Sequence, residues 1–225
     1  MQGSRIIVAL DKPTPREILE KLVSSLCDLV SGYKIGLPLL LVNGVSIVGE
    51  LREQCPKVLW MADLKLADIG YIMSLTASVV GEYFDAIIAH SFVGYDDALD
   101  KLKEACKESN LKLVLVYSMT HKGALEIYMK LRKLLAEIIR RTDPWGIIAP
   151  ATLPEIIKEA RALFPGKKIF SPGIGAQGAR PGQALCAGAD YEIIGRMIVE
   201  SSNPRKAIEE VIRAQEEALQ CRTAI

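Results

Sequence analysis

The 225-residue chain predicts an α/β fold, a single closed (β/α)8 barrel of the TIM type spanning residues 1–225. Apolar strand-like runs and helix-like segments alternate eight times, which favours a closed barrel over an open doubly wound sheet. No linker or low-complexity stretch interrupts them. A hydrophobic content of 50% is ample for one large core at this length.

The first strand reads Ile6-Ile7-Val8-Ala9-Leu10 and ends at Asp11. A helix follows from about Pro15, with Ile18, Leu19, Leu22, Val23 and Leu26 at three- and four-residue spacing. Tyr33-Lys34-Ile35-Gly36 is a short second strand, and Pro38 opens a helical region that ends near Gln54. The third strand covers 58–64, and a helix follows to about Glu82. The fourth covers 86–90, with helix over 95–109, and the fifth covers 113–117. Residues 124–141 form the clearest amphipathic helix, with Leu131, Leu134, Leu135 and Ile138 on one side. The sixth strand covers 146–149; Thr152 caps the next helix, Pro154 sits in its first turn, and it runs to Phe164. Strands at 168–171 and 191–195, then a helix from Asn203-Pro204 to Leu219, complete the eight units.

The charge balance is 28 basic to 27 acidic residues with no block of one sign, so nothing marks a nucleic-acid or membrane-surface partner. No apolar stretch approaches the roughly 20 residues that span a bilayer. Met1-Gln2-Gly3-Ser4-Arg5 leads straight into the first strand and does not read as a signal peptide. The five cysteines are scattered and form no Cys-x-x-Cys pair, which predicts buried, unbridged thiols, no thiolate metal site and a cytoplasmic, reducing setting. Trp60 and Trp145 read as packing residues.

In a barrel of this kind the site lies at the C-terminal ends of the strands. Those ends carry Asp11, Lys34, Asp63 and Lys65 from the first three strands. Residues two apart in a strand share a face, so Asp63 and Lys65 project together, with Asp68 a third charge just beyond. An acid and a base side by side at a strand end are costly unless matched or used. The fifth strand leads to Ser118-Met119-Thr120-His121, with His121 at the pocket mouth, while His90 satisfies hydrogen bonds at the edge of the core. No His, Glu or Cys cluster has metal-ligand spacing, so no metal is expected. After the seventh strand comes the glycine-rich Ser171-Pro172-Gly173-Ile174-Gly175-Ala176-Gln177-Gly178, long enough with 179–182 to fold over a ligand, and after the eighth come Gly195 and Arg196. Backbone N–H groups at such a loop, with the planar fork of an arginine, suit a phosphate.

The Asp63-x-Lys65-x-x-Asp68-Ile69 motif, with Asp11, Lys34 in Tyr-Lys-Ile-Gly, the run 171–177 and Gly195-Arg196 in matching order, resembles the orotidine 5′-phosphate decarboxylases in their compact microbial form. The resemblance covers essentially the whole chain. It implies a cofactor-free homodimer that releases CO2 from orotidine 5′-phosphate to give uridine 5′-phosphate. In that family's pattern Lys65 donates the proton to C6 and Asp63 sits beside the departing carboxylate. Lys34 and Asp68 complete an alternating charge network, Asp68 reaching across the dimer. Asp11 binds a ribose hydroxyl, and Thr120, where a serine is common, contacts the base. Gln177 and Arg196 hold the phosphate, with Pro172, Gly173, Gly175 and Gly195 also against the substrate. Two positions depart from the pattern: Ile72 replaces a ligand-contacting threonine, and Ala179 replaces a frequent glycine.

Three other readings stay open on sequence. Asp-x-Lys-x-x-Asp alone also admits a metal-dependent sugar-phosphate lyase or aldolase of the same barrel group. A Schiff-base aldolase needs Lys65 as a neutral amine, which flanking carboxylates disfavour. A noncatalytic nucleotide-binding barrel is the third.

Overall fold

The computed structural model describes residues 4–220. Eight parallel strands close in chain order, with β8 pairing back onto β1. They are β1 (Ile6–Leu10), β2 (Gly32–Gly36), β3 (Leu59–Leu66), β4 (Ala86–His90), β5 (Lys112–Val116), β6 (Gly146–Ile148), β7 (Lys168–Pro172) and β8 (Tyr191–Ile194). β1 and β2 are buried at every position. That is the burial expected of strands covered on both faces, and it explains why they read as continuous apolar runs.

The outer layer comprises α1 (Arg16–Leu26), α2 (Leu37–Asn43), α3 (Ile47–Gln54), α4 (Gly70–Val80), α5 (Asp100–Glu108), α6 (Ala124–Thr142), α7 (Pro154–Leu163), α8 (Gln183–Ala187), α9 (Arg196–Val199) and α10 (Pro204–Leu219). Asn203 caps α10 by accepting from the Lys206 N–H at 3.0 Å. Among the described residues no helix is long and apolar enough to cross a membrane.

The structure corrects several details. The single helical region expected up to Gln54 is two helices, because the chain turns at Gly44, whose φ is +74°. β3 runs two residues beyond its expected end, to Leu66. The helix expected over 95–109 begins only at Asp100; Asp96 and Asp97 leave helical geometry, and Arg141 grips the Asp96 carboxylate at 2.5 and 3.0 Å. On α6, Leu131 and Leu134 face outward and Tyr128, Leu135, Ile139 and Thr142 face the core. That helix carries apolar residues on more than one side, so spacing alone did not choose the buried stripe. Leu153, not Thr152, precedes α7 as its cap residue. The short α8 and α9 were not anticipated.

The cysteines bring the largest correction. Cys27 and Cys55, the residues that terminate α1 and α3, are joined as a disulfide with Cα atoms 5.6 Å apart. The partners lie 28 residues apart, so no local spacing announces them. Trp60 does pack as expected: it is buried and stacks on Tyr33 at 4.9 Å.

Candidate active site

Every strand contributes to the wall of a cavity of about 300 Å³ at the C-terminal end of the barrel: Ala9, Lys34, Ile88, Val116, Ile148, Pro172 and Ile193 from seven strands, and both Asp63 and Lys65 from β3. Asp11, Ser118, Met119, Thr120, Gly173, Ala176, Gln177, Gly195 and Arg196 extend it beyond the strand ends. The cavity is lopsided. Charges come from β1–β3, apolar side chains from β4–β6, and the glycine-rich loop and Arg196 stand beside β7 and β8.

The charged wall is a continuous ladder. Lys34 Nζ lies 2.5 Å from Asp11 Oδ1 and 2.8 Å from Asp63 Oδ2. Lys65 Nζ donates to Asp63 Oδ1 at 2.8 Å and to Oδ2 at 2.9 Å. Lys34 and Asp63 are buried, with side chains 7% and 8% exposed, whereas Lys65 is 38% exposed and stands towards the opening. Burial works against both inner charges, but their partners outweigh it. Asp63 and Asp11 hold the Lys34 ammonium above its ordinary pKa, and Lys34 and Lys65 hold the Asp63 carboxyl below its own.

Two local features build this ladder. Gly36 ends β2 where a Cβ would run into the Asp11 carboxylate, so only glycine leaves room for Asp11 to reach Lys34. Lys65 has a φ of +45°, and the pairing of β3 with β4 shifts register between Ala62 and Leu66. Asp63 and Lys65 therefore meet through an irregular strand rather than plain two-residue alternation. An unbranched non-glycine residue in this left-handed region is uncommon and costs on the order of 1–3 kcal/mol, the kind of strain that gathers at working sites.

Thr120 and Gln177 approach each other across Gly173, with both side chains within 3.3 Å of where its Cβ would sit. Gly175 lies outside the lining; its N–H donates to Ala179 O at 2.8 Å, and the residue packs on Met197. Asp68 also stays outside this chain's cavity, exposed, its carboxylate accepting from the Ile69 N–H at 2.7 Å. Ile72 is an exposed residue near the start of α4. Ala179 is buried and carries no positive φ, so that position needs no glycine. His121 is exposed and outside the lining. His90 shares a 2.6 Å hydrogen bond through Nδ1 with the Tyr128 hydroxyl and stacks on Phe92. Burial, then the nearby Lys65 charge, push its imidazole down to about 4, so it is neutral at pH 7. The apolar wall was missed on sequence; its only signal is one residue near the end of each strand, which stands out only once the register is known.

Among the described residues no three His, Cys, Asp or Glu side chains gather as a metal site. Residues 4–211 match the model of the orotidine 5′-phosphate decarboxylase / HUMPS family. The chain belongs to this family. The chain is 44% identical to an orotidine 5′-phosphate decarboxylase of Aeropyrum pernix, over 91% of this chain and 85% of that protein. It is 42% identical to the one from Sulfurisphaera tokodaii, over 94% and 95%. Among solved structures, orotidine 5′-monophosphate decarboxylase from Sulfolobus solfataricus superposes with a TM-score of 0.87 at 36% identity, covering 96% of this chain and all of that one. The Methanocaldococcus jannaschii enzyme complexed with inhibitor BMP superposes at 0.88 with 30% identity, covering 95% and 99%. A family member with these relatives is an enzyme of the decarboxylase type.

Proposed function

We propose that this chain is a carbon–carbon lyase that converts orotidine 5′-phosphate to uridine 5′-phosphate and CO2, the last step of de novo UMP synthesis. The observation that carries this reading is the Asp11–Lys34–Asp63–Lys65 ladder, which ends in one partly exposed ammonium over the cavity. Loss of CO2 from C6 leaves a pair of electrons in the plane of the ring, where the π system cannot absorb them. Fixed charges must stabilise it. In this reading Lys65 faces the developing charge and delivers the proton to C6. The Asp63 carboxylate lies beside the departing CO2, and Lys34 keeps Asp63 ionised. Stabilisation of the transition state is the main contribution of the ladder.

Asp11 takes a ribose hydroxyl, Thr120 the base, and Gln177 with Arg196 the phosphate, with Pro172, Gly173 and Gly195 as walls. Gly175 acts indirectly, by shaping the loop. The phosphate grip is remote from C6 but lowers the barrier by holding the loop closed.

Residues 1–225 act as one catalytic domain, working as a homodimer in the cytoplasm; the biosynthetic role supports that setting, since the Cys27–Cys55 bridge removes the argument from unbridged cysteines. Exposed apolar side chains on and beside α4 (Ile69, Tyr71, Leu75) support the dimer, since they lie on or next to the segment that carries Asp68. Asp68 of the partner subunit then completes the charge network.

The test is to incubate the purified chain with orotidine 5′-phosphate, with and without chelator, and follow the loss of absorbance. Turnover that survives chelation supports this reading. No turnover rejects it, and turnover that chelator abolishes favours the metal-dependent lyase.

A further inference from the structure

β8 contains an acid that the reaction does not use. Glu192 is fully buried, between Tyr191 and the cavity-lining Ile193. Alternation turns it away from the cavity, towards the helix layer. Its Oε2 accepts from the Gly182 N–H and from Gln215 Nε2, both at 2.9 Å, and its Oε1 accepts from the Ala184 N–H at 3.1 Å. Burial raises the carboxyl's pKa, opposed by these three donors and by the Leu185 N–H. An apolar residue would fill this outward position at lower cost.

The bonded N–H groups explain the acid. Gly182 and Ala184 are where the glycine-rich loop returns to the barrel. The loop leaves at Pro172, whose carbonyl accepts from the Ala151 N–H at 2.8 Å, and it folds back through Gly175 N–H to Ala179 O at 2.8 Å. Its tip, Ala176–Gln177–Gly178, is exposed. Gly182 has a φ of +83° and packs so closely on α10 that a Cβ there would strike Ala218. The same strand that holds the loop's return also leads, four residues on, to Arg196. β8 thus ties both sides of the anion site together.

We propose that Glu192 is a positioning residue for phosphate binding: by fixing Gly182 and Ala184 to β8, it sets the span between the Gln177 tip and Arg196. The proposal rests on the phosphate reading above. Glu192→Gln keeps the shape but turns an amide donor towards a backbone donor. It is expected to lower kcat/KM for orotidine 5′-phosphate about tenfold, the effect of one misplaced buried hydrogen bond. Turnover of orotidine, the nucleoside without phosphate, is expected to stay at the wild-type level. Amide hydrogen exchange at Gly182 and Ala184 is expected to quicken.

Arg196→Ala is the control. If it harms the nucleotide selectively and Glu192→Gln leaves kcat/KM for the nucleotide unchanged, or harms nucleotide and nucleoside equally, the positioning role is wrong and the phosphate reading stands. If Arg196→Ala harms both substrates equally, the phosphate reading fails and takes this proposal with it. Should Glu192→Gln not fold, Gln215→Met, which withdraws only the helix donor, carries the test: a nucleotide-selective fall in kcat/KM supports the role, and an unchanged kcat/KM or an equal loss for nucleotide and nucleoside rejects it.

Discussion

Lys65 donates to both oxygens of Asp63, at 2.8 and 2.9 Å, from a backbone φ of +45°. The ammonium is thus held by a carboxylate on its own strand and aimed by a kink in that strand. Lys65→Ala is expected to reduce turnover by about a thousandfold or more, since it removes a preorganised charge from the reacting carbon. Binding of uridine 5′-phosphate, measured calorimetrically, is expected to remain. Near-normal turnover in this variant would remove Lys65 from the centre of the mechanism.

Lys34→Met tests the buried half of the ladder. It strips the nearly covered Asp63 of one of its two cations, which is expected to cost about 3 kcal/mol in urea unfolding at pH 7. The pH dependence follows from the shifts. Asp63 has a lowered pKa, so its contribution is present above 3.8 and is lost as the pH falls through the lower folded value. Lys34 has a raised pKa, so its contribution is present below 10.5 and is lost only as the pH rises through the higher folded value. The gap between variant and wild type should therefore be widest near neutrality and narrow in acid. A constant gap would argue that Lys34 stabilises by packing alone.

His90 gives a second, separate acid limb. Its pKa falls from 6.5 to about 4 in the fold, so the unfolded chain binds the extra proton between those values. Stability is expected to be full above pH 6.5 and to decline as the pH drops towards 4. In His90→Asn that decline should flatten, which urea midpoints taken across the window would record.

The Cys27–Cys55 bridge closes a loop with a sequence separation of 28. Chain entropy assigns such a cross-link about 3–4 kcal/mol. Cys27→Ser is expected to lower the thermal midpoint in non-reducing buffer, and reductant should lower the wild-type midpoint while leaving the variant's unchanged. Equal midpoints with and without reductant in the wild type would show that the bridge contributes nothing.

The four charges of the ladder were legible because polar residues at strand ends interrupt long apolar runs, and strand ends are where a barrel does its chemistry. The meeting of Asp63 and Lys65 has an incomplete reason in the sequence: alternation suggests it, but a register shift after Ala62 accomplishes it. Backbone irregularity of that kind has no marker in side-chain order. The disulfide joins helix ends that only the fold brings together, and α6 offered more than one apolar stripe. Glu192 was visible as a lone acid in Tyr-Glu-Ile-Ile, yet its role needed its partners on α8 and α10.

The missing side chain at Gly36 gives the site a weak point that no inventory of ionisable groups would reveal. A single methyl added there would push the neighbouring acid off its lysine and unzip the row of opposite charges from one end. Such a variant would retain every proton donor and acceptor of the parent, yet would be expected to bind and turn over its ligand poorly.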